Sequence, residues 1–291
     1  MNVSFGEVLT AMVTPFDARG EVDLEKTKRL VDYLIENGSD GLVVTGTTGE
    51  SPTLSDQEKA FFYDKVAEYV GGRVPVIAGT GMNDTGATIR LTKEAEKTNV
   101  DAIMLVNPYY NKPNQQGLYE HYKTVATQTK LPVILYDVPG RTVVSMTADT
   151  VVNLSEIENI VAIKDASGDL DRIAEIIERT SDDFLLYSGD DSLTLPIKAL
   201  GGDGVISVAS HVIGKEMKQM IELYNQGKVT EAAKLHRKLL PIMKGVFIAP
   251  SPSPVKAALN MKGVDVGGVR LPLVPLNSQE QEVLENALNS F

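Results

Sequence analysis

Short apolar segments alternate with amphipathic ones along most of the chain. Eight apolar segments have the length of strands and are rich in Val, Ile and Leu on both faces, as a parallel sheet covered by helices requires. They are Val8–Thr14, Gly41–Thr45, Val74–Ala78, Ala102–Val106, Val133–Tyr136, Ile160–Lys164, Phe184–Ser188 and Gly204–Val208. Their spacing of roughly 20–35 residues leaves room for one helix after each strand.

The segments between these strands carry helix signals. Asp23 precedes an amphipathic stretch, and Ser55 with Glu58 forms a capping box. A further helix opens at Asp84 and is expected to run to Lys97. Eight such units predict an α/β fold, a (β/α)8 TIM barrel rather than an open sheet.

The pattern becomes wholly helical from Lys215 onward. Helical periodicity runs through Ala232–Met243, Pro254–Met261 and Ser278–Leu288, which is too long for the last barrel helix alone. We therefore predict a catalytic barrel over residues 1–225 and an appended C-terminal helical domain over residues 226–291.

Composition narrows the class of protein. The chain has 291 residues, no cysteine, and a formal charge of −11, so disulfides are excluded and nucleic acid or anionic membranes are not expected partners. Its longest apolar runs fall short of the ~20 residues of a membrane helix. Met1–Gly6 has no secretory signal, and a cytoplasmic protein is expected. An anionic substrate would need local cations.

Two adjacent strand ends carry unusual side chains. Lys164 ends an apolar strand and should point into the barrel in register with Ala162, while Tyr136 shares the register of Ile134 on the neighbouring strand. Apolar surroundings favour the neutral, nucleophilic amine, which predicts an imine-forming lysine beside a proton-transferring phenol. The alternatives are a surface lysine and a packed tyrosine.

Other strand ends offer groups for an anionic substrate. Arg141 follows a Pro-Gly turn, on a loop where its guanidinium could hold a carboxylate or simply form a surface ion pair. Thr47 and Thr48, flanked by glycines, offer hydroxyls and backbone N–H groups to a small anion. Neither this loop nor Gly79-Thr80-Gly81 completes a nucleotide-binding motif.

A metal site is the weaker interpretation of the acidic strand ends. Asp165, Asp190 and Asp191 could hold a divalent ion, but Asp190 and Asp191 are expected to cap the helix that starts near Ser192. The three histidines are scattered, with no zinc-binding spacing. The loop after strand four contains two tyrosines, Tyr109 and Tyr110, that could be packing residues.

Four of these motifs occur in order at the ends of four strands. They are Gly46-Thr47-Thr48-Gly49-Glu50-Ser51, Pro108-Tyr109-Tyr110-Asn111-Lys112-Pro113, Tyr136-Asp137-Val138-Pro139-Gly140-Arg141-Thr142 and Lys164-Asp165-Ala166-Ser167-Gly168. Together they resemble the dihydrodipicolinate synthase family, and the similarity runs end to end. The sequence departs from the usual family pattern at Asp137, where Asn is usual, and at Ser251–Ser253.

The resemblance implies a reaction and a set of roles. Lys164 would form an imine with pyruvate, and the derived enamine would attack aspartate semialdehyde to give 4-hydroxy-tetrahydrodipicolinate. A proton relay would comprise Thr47, Tyr136 and Tyr110. Substrates would be seated by Thr48, Arg141 and the main chain at Gly189 and Ile206. No cofactor is implied, because the imine itself is the electron sink.

Two other functions stay open on the sequence alone. One is a related pyruvate lyase, such as N-acetylneuraminate lyase or a keto-sugar-acid aldolase, which Arg141 disfavours. The other is a catalytically silent barrel with a binding or structural role. The resemblance also implies a homo-oligomer, a dimer or a tetramer, in which Tyr110 reaches into the partner's barrel.

The resemblance bears on regulation as well. In lysine-inhibited relatives, lysine lies between subunits near the loop after strand two. Ser51, Asn83 and Tyr109 match that site, whereas two histidine positions hold Asp56 and Lys59, and a glutamate position holds Ala87. We therefore predict little or no inhibition by lysine.

Overall fold

The strands form a closed barrel. The computed structural model describes residues 3–290, so residues 1, 2 and 291 of the two predicted domains lie outside the described part. Eight parallel strands pair in chain order and close on themselves, which confirms the predicted barrel. Their bounds are β1 (Val8–Ala11), β2 (Gly41–Val44), β3 (Val76–Gly79), β4 (Ala102–Val106), β5 (Val133–Asp137), β6 (Ile160–Asp165), β7 (Leu185–Ser188) and β8 (Gly204–Ser207).

Helices surround the barrel and form the C-terminal segment. Their bounds are α1 (Leu24–Glu36), α2 (Asp56–Val70), α3 (Thr85–Ala95), α4 (Gln115–Ala126), α5 (Pro139–Thr142), α6 (Ala148–Ser155), α7 (Leu170–Arg179), α8 (Thr194–Ala199), α9 (Ser210–Asn225), α10 (Val229–Gly245), α11 (Ser253–Met261) and α12 (Ser278–Asn289). Short 3₁₀ helices occupy Ser51–Thr53 and Asp191–Leu193. Among residues 3–290, no helix combines the length and apolar character needed to cross a membrane.

Local side chains start the helices as the sequence predicts. The carboxylates of Asp23 and Asp84 accept backbone N–H bonds at the starts of α1 and α3, and Ser55 and Glu58 form both halves of a capping box on α2. The predicted extension of α3 to Lys97 is wrong. The helix ends at Ala95, whose carbonyl accepts a 2.7 Å hydrogen bond from the hydroxyl of Thr98.

The core has two layers, as a filled barrel requires. Inward side chains from alternate strand positions fill the barrel, and they include Leu9, Val43, Ile77, Met104, Ile134, Tyr136, Ala162, Tyr187 and Ile206. The outward side chains pack against the helices in a larger apolar cluster. Two-residue alternation therefore decides which side chains at the strand ends reach the barrel mouth.

The C-terminal helices pack on the barrel's last helix. α10 and α11 contact both α9 and α12, and α9 ends at Asn225, so the predicted boundary between residues 225 and 226 falls in the connection before α10. The division into two domains stays a prediction. The expectation of a wholly helical tail is wrong for residues 264–277, which contain no helix.

Candidate active site

Lys164 and Tyr136 lie side by side at the carboxyl end of the barrel. The β5–β6 pairing places Tyr136 directly opposite Lys164, and Tyr136 joins Ile134 and Ala162 in the barrel interior. The Nζ atom of Lys164 lies 4.4 Å from the centroid of the Tyr136 ring. Since Lys164 is only 4% exposed, its amine is shielded from bulk water, a setting suited to a nucleophile.

A cleft of about 390 Å³ opens beside Tyr136. Thr47, Tyr136 and Arg141 all line it, and the structure thereby brings together three residues proposed from the sequence. Other residues of the lining include Ser51, Asp56, Lys59 and Tyr109. The cleft is large enough for a small organic acid, and its lining includes Asp56 and Lys59 of α2.

The loop after β2, which carries Thr47, forms a tight turn. Its turn is closed by hydrogen bonds from Gly49 N to Gly46 O and from Glu50 N to Thr47 O, both 3.1 Å. A Cβ atom on Gly49 would lie 2.9 Å from the backbone of Thr45, so no other residue fits without a shift. Thr48 is buried within this loop.

Arg141 belongs to a short helix rather than to the predicted open loop. α5 begins with Pro139, whose fixed φ suits a first helical position. The hydroxyl of Thr142 closes this turn by donating to the carbonyls of Val138 and Val144. Arg141 itself is exposed, lines the cleft and forms no ion pair within residues 3–290, so its guanidinium is free to take a carboxylate.

Five of the eight proposed site residues are not part of the lining of this cleft: Lys164, Thr48, Gly189, Ile206 and Tyr110. The N–H of Gly189 donates to the carbonyl of Asp165 at 2.6 Å, which holds the end of β7 against that of β6. Ile206 is fully buried inside the barrel. Tyr110 is 89% exposed and has a φ of 73°, a backbone state that is costly for a residue with a side chain.

The acidic strand ends serve the fold. Asp190 accepts from the Ser192 N–H, as predicted, but the assignment of Asp191 to the same helix start is wrong. Its carboxylate accepts from the N–H groups of Val208 and Ala209, at 3.2 and 2.9 Å, and so anchors the start of α9. Among the described residues, no group of three or more acidic or histidine side chains could hold a metal ion.

Two residues that the sequence analysis did not single out support the site. Arg172 of α7 pairs with both Asp137 and Asp165, the residues after Tyr136 and Lys164. Lys256 of α11 pairs with Glu50, in the loop that carries Thr47. The sequence did contain a signal for Arg172. The carboxylates of Asp137 and Asp165 end two adjacent buried strands, and such a pair requires a nearby cation.

A closed parallel barrel with a buried lysine at a strand end, next to a tyrosine and an open cleft, defines the class of α/β-barrel enzymes that use an amine nucleophile. The comparisons with known proteins are more specific. Residues 4–291 match the model of the dihydrodipicolinate synthetase family, and the chain belongs to that family.

Similar proteins cover the whole chain. The 4-hydroxy-tetrahydrodipicolinate synthase of Bacillus velezensis is 58% identical over 291 residues, which is 100% of both chains. A crystal structure of dihydrodipicolinate synthase from Bacillus anthracis superposes with a TM-score of 0.98 at 57% identity, over 99% of each chain. The Cyanidioschyzon merolae enzyme with lysine bound has a TM-score of 0.97 at 45% identity, over 98% of each chain.

Proposed function

We propose that this protein condenses pyruvate with L-aspartate 4-semialdehyde to form 4-hydroxy-tetrahydrodipicolinate, in the biosynthesis of diaminopimelate and lysine. The observation that carries the proposal is the buried amine of Lys164, 4.4 Å from the centroid of the Tyr136 ring, in a chain of the dihydrodipicolinate synthetase family. Such an enzyme of amino-acid biosynthesis would work in the cytoplasm.

The proposed chemistry begins with the amine of Lys164. Its nitrogen attacks the ketone of pyruvate, water leaves, and an imine forms. Loss of a methyl proton gives the enamine, whose carbon attacks the aldehyde of the second substrate and forms the new C–C bond. The substrate's amino group then displaces Lys164 from the imine carbon, closing the ring and freeing the enzyme. The imine serves as electron sink, so the proposal includes no cofactor.

Side chains around the cleft supply the other roles. Thr47 and Tyr136 line it together and would relay protons with Tyr110. Arg141, exposed at the cleft, would hold the carboxylate of the semialdehyde. Thr48 and the main chain at Gly189 and Ile206 would seat the substrates.

We extend the proposal to a homo-oligomer, a dimer or a tetramer, in which Tyr110 enters the partner's active site. The support is that Tyr110 projects from the barrel with 89% of its surface exposed, in a left-handed backbone conformation. Residues held in sparsely populated backbone conformations cluster at functional sites.

Reductive trapping tests the proposed function. Pyruvate plus borohydride should attach one reduced pyruvate adduct to the peptide that contains Lys164, and pyruvate plus semialdehyde should yield the heterocyclic product. Lys164→Arg should fold normally by circular dichroism yet give neither adduct nor product, since a guanidinium stays protonated. Neuraminate and keto-sugar acids should be poor substrates. An adduct on a different lysine, or turnover of those sugars in preference, would refute the proposal.

A further inference from the structure

Two buried carboxylates lie immediately beyond the proposed catalytic pair. Asp137 follows Tyr136 at the end of β5, Asp165 follows Lys164 at the end of β6, and the two acids are register partners. The side chains of both acids are 0% exposed. Because successive side chains of a strand alternate, the acids point away from the barrel interior that holds Tyr136 and Lys164.

One guanidinium joins the two acids. Arg172, on α7, places Nη1 at 2.6 Å from Asp137 Oδ2 and Nη2 against Asp165 Oδ2, and Nη1 also donates to the carbonyl of Met146. Burial raises the pKa of Asp137, and the Arg172 guanidinium opposes that rise. Without this cation, two buried carboxylates would repel each other across the end of the β5–β6 ladder.

The same network reaches the two neighbouring loops. Asp137 Oδ1 accepts a 2.7 Å bond from Asn107, whose own amide oxygen accepts from the Tyr122 hydroxyl at 2.6 Å. Asn107 is the residue from which the loop of Tyr110 starts. Asp137 Oδ2 accepts from the Ser145 hydroxyl at 2.7 Å, where the chain leaves the helix of Arg141. The network thus ties the four segments that carry Lys164, Tyr136, Arg141 and Tyr110.

We infer that Arg172 is a positioning residue for this reaction, which sets the Lys164–Tyr136 geometry by neutralising Asp137 and Asp165 together. The inference rests on the proposed function. Arg172 pulls the two strand ends to one point through a planar, two-pronged donor, a geometry that a lysine ammonium cannot reproduce. Asp137 increases the need for that cation, because it is a second acid beside Asp165.

The test compares imine formation in Arg172→Gln with that in Arg179→Gln. Arg179 lies on the same helix but forms exposed ion pairs with Asp149 and Glu175, so it is a matched control. The rate of imine formation at saturating pyruvate is read by rapid quenching into borohydride, with circular dichroism to verify folding. We expect Arg172→Gln to lower that rate about ten- to a hundredfold, with a smaller change in the KM for pyruvate, and Arg179→Gln to leave it unchanged.

A second-site variant separates positioning from general damage to the fold. Asp137→Asn in the Arg172→Gln background leaves one unpaired carboxylate instead of two, and should recover imine formation by roughly threefold or more. If Arg172→Gln does not fold, this double variant carries the test. A folded Arg172→Gln with a wild-type rate, or failing that a double variant as fast as Asp137→Asn alone, overturns this inference but not the proposed function. A wild-type protein that forms no imine on Lys164 overturns the proposed function and this inference with it.

Discussion

The Nζ atom of Lys256 lies 2.6 Å from Oε1 of Glu50, although 206 residues separate them along the chain. Their side chains are 2% and 0% exposed. Lys256 also donates to the carbonyl of Gly268, and Glu50 accepts the N–H of Arg270 at 2.9 Å. The C-terminal segment is therefore fastened to the loop that presents Thr47.

Breaking this ion pair should destabilise the protein and lower its activity. Lys256→Met leaves the Glu50 carboxylate buried and unpaired, which costs about 3–5 kcal/mol of folding free energy. Denaturant unfolding measures the loss, and the double variant Glu50→Gln/Lys256→Met should lose less. Lys262→Met, at an exposed position after α11, is the control. Equal stability of Lys256→Met and Lys262→Met would show that the pair contributes nothing.

The sequence predicted the parts of the fold that depend on neighbouring residues. The eight strands are found because short runs that are apolar on both faces identify buried strands locally, and the Ser55–Glu58 capping box needs only four residues. The candidate cleft follows from the barrel, because parallel strands bring Thr47, Tyr136 and Arg141 to one end.

The sequence did not predict the contacts between distant segments. The Glu50–Lys256 pair and the bridge from Arg172 to Asp137 depend on how helices pack on the barrel, which no local pattern encodes. The role of Asp191 was missed for the same reason, because its partners Val208 and Ala209 follow a different strand.

Arg141 should serve the second substrate and leave the first unaffected. Arg141→Ala removes a charge-assisted pair with the semialdehyde carboxylate, which should lower kcat/KM by about 2–4 kcal/mol in transition-state stabilisation. Arg141→Lys keeps the charge but loses the planar guanidinium, so its kcat/KM should lie between the values of the wild type and of Arg141→Ala. Steady-state kinetics with each substrate measure the effect. Borohydride trapping of pyruvate should persist in Arg141→Ala, and its loss would assign Arg141 a different role.

Acid should destabilise the protein through His211. This side chain is fully buried, its Nδ1–H donates to the Val208 carbonyl at 2.8 Å, and its Nε2 accepts the Val13 N–H at 3.1 Å. The bond to Nε2 requires the neutral ring, because a protonated Nε2 could not accept the Val13 N–H. Burial lowers the pKa of His211 to about 4, below the value of about 6.5 in an unfolded chain.

Between pH 6.5 and 4 the unfolded chain therefore binds a proton that the folded protein excludes, and stability falls as pH falls. The largest loss of folding free energy that His211 can cause is about 3 kcal/mol, at 1.36 kcal/mol per pKa unit. Urea unfolding of the wild type and of His211→Gln at several pH values isolates the contribution of His211. Burial raises the pKa of Asp191 to about 6, which stabilises the folded protein as pH falls. This opposing effect is present in both the wild type and His211→Gln, so it cancels in the comparison. A wild-type advantage that stays constant from pH 7 to 4 would contradict this prediction.

Shared active sites predict complementation between two inactive variants. Tyr110→Phe lacks the relay hydroxyl and Lys164→Ala lacks the nucleophile, so neither homo-oligomer should be very active. Mixing the two after dissociation should restore activity at sites that pair one chain's Lys164 with the other chain's Tyr110. Sedimentation verifies mixed assembly. A monomer in solution, or verified mixed oligomers without activity, would exclude a shared site.

The part of the cleft around Lys59 should bind lysine poorly. Lys59 lines it with Ser51, Asp56 and Tyr109, and its nearest carboxylate oxygen is Asp56 Oδ1 at 3.9 Å. Burial lowers the pKa of Lys59, while the charge of Asp56 opposes that change. With only 4% of its surface exposed, Lys59 cannot turn into solvent without local rearrangement.

Feedback inhibition by lysine should consequently be absent or very weak. A bound lysine ammonium ~4 Å from Lys59 would cost about 4 kcal/mol at an effective dielectric constant near ~20, roughly a thousandfold in affinity. By the resemblance to lysine-inhibited relatives, Ala87 stands where a glutamate would pair with the ligand's α-ammonium. Initial rates with lysine up to tens of millimolar, with calorimetry beside them, measure the effect. The triple variant Asp56→His/Lys59→His/Ala87→Glu, which restores the residue types of lysine-inhibited relatives, should gain inhibition. Clear inhibition of the wild type below ~1 mM, a binding free energy of about 4 kcal/mol or more, would contradict the prediction.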